Sequence, residues 1–112
     1  MALMAMAIPV PAQQKDRFQK FIKELQGPRH GAFIESRKQL GVRERTFLQS
    51  TPMGDFVIVT LEGENPQAAF THFGQGTDDF TKWFLAEAKA IHGIDLTQAP
   101  PAFPQLLVDS QK

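Results

Sequence analysis

The first ten residues, MALMAMAIPV, are apolar throughout and end among Pro9 and Pro11. So short an apolar run, closed by prolines, reads as a buried strand. From Lys15 the period changes. Phe18, Phe21, Ile22 and Leu25 recur at the spacing of one helix face, with Lys15, Asp16, Arg17, Lys20 and Lys23 on the remainder. Gly27-Pro28 ends or kinks that helix, because proline disfavours helical geometry in the residue before it. A second helical stretch is expected from about Pro28, carrying Phe33, Ile34 and Leu40, with Gly41 in the left-handed cap position. Residues 42–51 and 55–62 are rich in β-branched and aromatic side chains around Thr51-Pro52-Met53-Gly54-Asp55, which predicts a hairpin.

Beyond it, Asn65-Pro66 opens a short helix with Ala69, Phe70 and Phe73, broken at Gly74-Gln75-Gly76. Thr77 is expected to cap a further helix, with Asp78 and Asp79 in its first turn at the positive end of the dipole. Phe80, Phe84, Ala88 and Ile91 form its stripe, Trp83 stands beside it, and Gly93 closes it. Residues 95–104, with Pro100, Pro101 and Pro104, read as an extended crossing, and Gln105–Asp109 as a last strand. The order predicts an α+β, ferredoxin-like βαββαβ domain over residues 1–112, with broken helices on one face of an antiparallel sheet.

One helical layer covers one sheet face, so the other should be polar. It is not. Phe56 and Ile58 alternate with Val57, Val59 and Leu61, and Leu3, Ala5 and Ala7 with Met4, Met6 and Ile8. An apolar second face implies an interface, and a two-fold homodimer through the sheet is the simplest closure.

Composition narrows the function. The 112 residues suffice for one domain, and twelve basic residues balance twelve acidic ones, so the excess positive charge of a nucleic-acid binder is missing. No cysteine is present, which excludes disulfides, thiolate nucleophiles and Cys-ligated metal centres. The apolar N-terminal run carries no Lys or Arg and is about half the ~20 residues a spanning helix needs. A soluble cytoplasmic protein that touches no membrane is expected.

Five stretches carry a resemblance: Gly41-Val42-Arg43-Glu44-Arg45, Leu48 to Asp55, Glu62-Gly63, Phe80-Thr81-Lys82-Trp83-Phe84, and His92-Gly93-Ile94-Asp95-Leu96. Over about residues 14–109 the chain resembles an uncharacterised bacterial family of the dimeric α/β-barrel, ferredoxin-like superfamily. That superfamily includes cofactor-free monooxygenases of the antibiotic-biosynthesis type, haem-degrading enzymes, muconolactone isomerase-like proteins and simple binding modules. The resemblance implies a dimeric barrel and no single chemistry.

The residues themselves offer three histidines. His30 opens the second helical stretch near Glu35 and Arg37, and His72 lies between Phe70 and Phe73. These two are the candidate acid–base residues. His92, before the capping Gly93, reads as structural. No two histidines stand at metal-ligand spacing, so neither metal nor other cofactor is expected. The axial-histidine constellation of the haem-degrading relatives has no match either. Arg37 and an apolar wall at Trp83 are candidate ligand-binding residues. Arg43 and Arg45 share one face of the second strand and could hold an anion, or else pair with Glu44, Glu62 or Glu64. An RNA-recognition domain shares the element order, but Asp55–Thr60 offers a single Phe and no Lys or Arg. Two functions remain. One is a small cofactor-free enzyme, monooxygenase-like or isomerase-like, acting on an organic molecule in the cleft between helices and sheet. The other is a non-catalytic ligand-binding or assembly module.

Overall fold

The computed structural model describes residues 1–98 and 102–111. Strand β1 (Ala2–Val10) leads through a turn of 3-10 helix into α1 (Lys15–Gln26) and α2 (His30–Leu40). The hairpin follows as β2 (Val42–Thr51) and β3 (Gly54–Gly63), then α3 (Pro66–Phe73) and α4 (Asp79–His92). The fold is α+β, a three-stranded antiparallel sheet in the order β1-β3-β2.

The local signals explain most boundaries. Gly41 and Gly93 close α2 and α4 at φ of 72° and 71°, left-handed geometry that a residue with a Cβ rarely adopts. In the hairpin turn, the Thr51 hydroxyl donates to the Gly54 carbonyl at 2.7 Å and accepts from the Met53 N–H at 3.1 Å. Gly54 there adopts φ 120°. Asn65 caps α3 by accepting from the Ala68 N–H at 3.0 Å. The cap of α4 is Asp78 and not Thr77: its carboxylate accepts from both the N–H and the hydroxyl of Thr81, at 3.0 and 2.7 Å. Asp is the stronger cap here, because a carboxylate takes both bonds at the positive end of the dipole. Those bonds hold its carboxyl below the usual carboxylate range.

Register fixes the faces. Met4, Met6 and Ile8 stand opposite Leu61, Val59 and Val57, and Val42, Glu44 and Thr46 opposite Gly63, Leu61 and Val59. This face meets the helices. Val10, Phe18, Phe21, Val57 and Ile91 form its buried core, and Phe21 packs against both Trp83 and Phe84. The outer face carries Leu3, Ala5, Phe47, Phe56 and Ile58, with Arg43, Arg45 and Glu62 towards one end; among the described residues no helix covers it, and Leu3 and Phe47 are exposed. In a single copy of the chain β1 is an edge strand with one face covered by the helices.

The expected last strand does not form. Residues 102–109 hold no regular structure, and Gln105–Asp109 has no strand partner among the described residues. A strand-like run is a strand only when a sheet edge accepts it. Of the proline-rich crossing, Pro100 and Pro101 lie outside the described residues. Among the described residues no helix is long and apolar enough to cross a membrane.

Candidate functional site

A cavity of about 90 Å³ lies between the sheet and the helices. Its walls are almost wholly apolar: Met6, Ile8 and Val59 from the sheet, Phe70 and Phe73 from α3, and Ile94 and Leu96 beyond α4 among them. Only Arg37, Glu44, Thr46 and His92 bring polar side chains to it.

Glu44 reaches this cavity by strand parity. It alternates with the outward Arg43 and Arg45 and stands opposite the buried Leu61. Arg37, in the last turn of α2, comes down to meet it. Arg37 Nε donates to Glu44 Oε1 at 2.8 Å, and the side chains are only 8% and 7% exposed. The Arg37 Nη1 group donates to Ser36 Oγ at 2.9 Å, and the Thr46 hydroxyl donates to Glu44 Oε2 at 3.2 Å. The guanidinium also lies against the rings of Phe33, Phe73 and Phe84, at 4.8, 4.3 and 5.0 Å from their centroids. Aromatic faces carry negative potential, so this cage offsets part of the cost of taking the cation out of water.

His92 is half-buried and packs edge-on to Phe18. Its Nδ1 lies 2.9 Å from the Pro9 carbonyl oxygen. A carbonyl only accepts, so Nδ1 carries the proton and the neutral ring keeps its lone pair on Nε2. Burial pushes the imidazole below its ordinary 6.5, and the bond to Pro9 works weakly the other way. The unfolded chain therefore takes up the proton first. The contribution of His92 to stability is complete above about pH 6.5 and falls away as pH drops toward the depressed folded value. His92→Asn is expected to flatten the decline of the melting temperature between about pH 7 and pH 5. Melting curves taken across that range check this, and an unchanged slope would refute it.

The other predicted site residues lie elsewhere. His30 is exposed, its Nδ1 bonded to the Leu25 carbonyl at 2.9 Å. His72 is exposed and lines a separate polar hollow of about 340 Å³ between α2, α3 and the start of α4. Polar groups there are spent internally, Asp78 on Thr81 and Glu35 on the Gln39 amide at 3.4 Å. Trp83 is covered by the Arg29 guanidinium, 4.1 Å from its ring, and stacks on Phe21. Of His30, His72 and Trp83, only His72 lines either of these two cavities, and the three side chains have different surroundings. Arg43 and Arg45 lie on the outer face, where Arg45 pairs with Glu62 at 3.2 Å. Arg37 alone among the predicted residues lines the apolar cavity. Glu44, Thr46 and His92 were not singled out as site residues. No group of three or more His, Cys, Asp or Glu side chains suited to a metal occurs among the described residues.

Family models, curated proteins and solved structures give no match to this chain. Its function has to be read from the site itself.

Proposed function

We propose that the chain binds a small organic molecule with an apolar body and one hydrogen-bond donor, in the cavity between helices and sheet. The buried Arg37–Glu44 pair at an otherwise apolar cavity carries this reading. As core filler such a pair is poor value, since apolar residues of the same volume often serve a fold as well or better. Convergent polar groups in an apolar hollow are instead the usual make-up of a ligand site. Glu44 accepts one bond on each oxygen, from Arg37 and Thr46. A carboxylate has about four acceptor positions, which leaves room for a ligand hydroxyl or N–H.

Glu44, held by Arg37 and Thr46, and His92, bonded through Nδ1 to the Pro9 carbonyl, each keep an acceptor position for a ligand donor, which is what binding requires. A cofactor-free enzyme at the same cavity, monooxygenase-like or isomerase-like, is the reading that the resemblance to dimeric α/β-barrel proteins supports. The same resemblance, the β1-β3-β2 order and the apolar residues of the outer face support a ferredoxin-like dimeric barrel, a homodimer closed through the sheets. A fourth strand beside β1 would complete that arrangement.

At about 90 Å³ the cavity is smaller than the ~150 Å³ that holds benzene in an engineered apolar site. A ring-sized ligand therefore displaces part of the wall. Titrating labelled protein with phenol, cyclopentanol and benzene should move the amide signals of Thr46, Ala69 and Phe70, the two alcohols binding more tightly. Ala69→Leu, which adds three carbons to the cavity wall, should abolish binding without unfolding the chain. Glu44→Gln should weaken alcohol binding by roughly tenfold, the worth of one charge-assisted bond. Signals that move equally in the Ala69→Leu variant would refute the site.

A further inference from the structure

The cavity at Glu44, about 90 Å³, is too small for a ring-sized ligand unless part of its wall gives way. A close-packed interior resists such a shift, so a wall backed by empty space yields most readily. Leu40 and Phe73 form such a wall. Both line the apolar cavity on one side and the polar hollow of about 340 Å³ on the other. Phe73 is held by the Arg37 guanidinium, 4.3 Å from its ring centroid, and by its edge contact with Phe84. Leu40 ends α2 and is only half-buried, so it is the freer of the two to move. A hydrogen bond also ties the chambers together, from Arg37 in the inner one to Ser36 in the outer.

The two chambers differ in charge. In the inner one the Arg37 and Glu44 charges cancel at 2.8 Å. The charged lining of the hollow is Glu35 and Asp78, with His72 beside them and no lysine or arginine among the described residues. Glu35 accepts from an amide, and Asp78 from a hydroxyl and a backbone N–H, which leaves the negative charge of each in place. Among the described residues neither carboxylate forms an ion pair. Asp78 is partly offset by the positive end of α4, so Glu35 is the stronger attractor of a cation.

We propose that the two chambers form one site and that its ligand is a hydroxyaryl alkylamine. The hydroxyl donates to Glu44, the ring fills the inner cavity, and the ammonium emerges past Leu40 to Glu35 and Asp78. The inference rests on the reading that the inner cavity binds an alcohol, and it supplies the far end of the molecule. Volume and charge lead to the same ligand. A ring that pushes the shared wall aside opens a way into the hollow, and a group arriving there meets two carboxylates. An ammonium forms charge-assisted hydrogen bonds with them, whereas a carboxylate on the same stem is repelled.

Labelled protein titrated with phenol, tyramine and 3-(4-hydroxyphenyl)propionate tests this, because the three share one phenol and differ in the far end. Phenol should move the amide signals of Thr46, Ala69 and Phe70, and tyramine should move those together with Gln39 and Gly76 in the hollow. Tyramine should bind about tenfold more tightly than phenol at low salt, and the acid more weakly than phenol. The advantage of tyramine should shrink at about 1 M salt, where charges are screened within ~3 Å. Glu35→Gln should cut the tyramine-to-phenol affinity ratio by about threefold, and adding Asp78→Asn, which keeps a good cap on α4, should bring it to about one. If phenol binds and the ratio in the parent is already near one, the joint site is refuted while the inner cavity stands. A ratio that survives both substitutions refutes it equally. If neither phenol nor tyramine moves the inner-cavity signals, both readings fall.

Discussion

Replacing Arg37 with methionine should lower the unfolding free energy by about 3–5 kcal/mol, the cost of leaving one buried charge without its partner. The magnitude follows from where Glu44 is left. Its carboxylate would keep only the Thr46 hydroxyl, at 3.2 Å, inside a cavity whose remaining walls are almost entirely carbon. Ser36 and the rings of Phe33, Phe73 and Phe84 would lose a partner as well. The variant in which both Arg37 and Glu44 become methionine should recover to within about 1 kcal/mol of the parent or exceed it, since apolar side chains replace a desolvated pair at little cost. Urea unfolding of the parent, the two single variants and the double variant gives the coupling directly. The double variant should fold and fail to bind alcohols. That combination separates a pair kept for a ligand from one kept for the fold. A single Arg37→Met loss below about 1 kcal/mol would show a pair solvated like a surface one.

How much of this could be read from residues alone differs from element to element. Helix faces were legible because Phe18, Phe21, Ile22 and Leu25 repeat with a helix period that no other structure uses. Gly41 and Gly93 were legible because left-handed caps nearly require glycine. The hairpin was legible in Thr51-Pro52-Met53-Gly54. Glu44 was missed for a definite reason. In Arg43-Glu44-Arg45 the arginines look like the binding groups and the glutamate like their neutraliser, and only parity tells which side is inward. The register signal was present, because Val42 and Thr46 flank Glu44 at the two-residue period and Arg37 stands in the last turn of the helix just before. The final strand failed differently. Leu106-Leu107-Val108 has the composition of a strand, but composition fixes preference and not partnership, and among the described residues of one copy it has no strand partner. His92 was read by its helix-end charge, whereas burial and the Pro9 carbonyl, 83 residues away, govern it. Sequence-local rules see neither.

The segment after α4 is held to the domain by a backbone approach that a single methyl group would disrupt. Gly74, the residue that caps the end of α3, has ordinary right-handed helical geometry at φ −63°, so nothing about its conformation demands glycine. Space does. A Cβ there would collide with the carbonyl oxygen of Leu96, which is backbone and cannot rotate aside. Gly74→Ala is therefore expected to destabilise the chain by about 1–3 kcal/mol, as overpacking does elsewhere. On a domain of this size that lowers the melting temperature by roughly 4–8 °C per kcal/mol. The displaced segment carries Ile94 and Leu96, both in the cavity wall, so binding of alcohols should weaken alongside stability. Gly31 supplies the control with the opposite sign. It lies in the first turn of α2 at a negative φ, and apart from its chain neighbours and its own helix backbone nothing comes within 4 Å of where its Cβ would be. Gly31→Ala removes unfolded-chain entropy at no steric cost and should stabilise by about 0.5–1 kcal/mol without touching the cavity. Calorimetry of the two variants decides the matter. Equal and small shifts at Gly74 and Gly31 would mean that residues 94–98 stand away from α3, and that the cavity is open on that side.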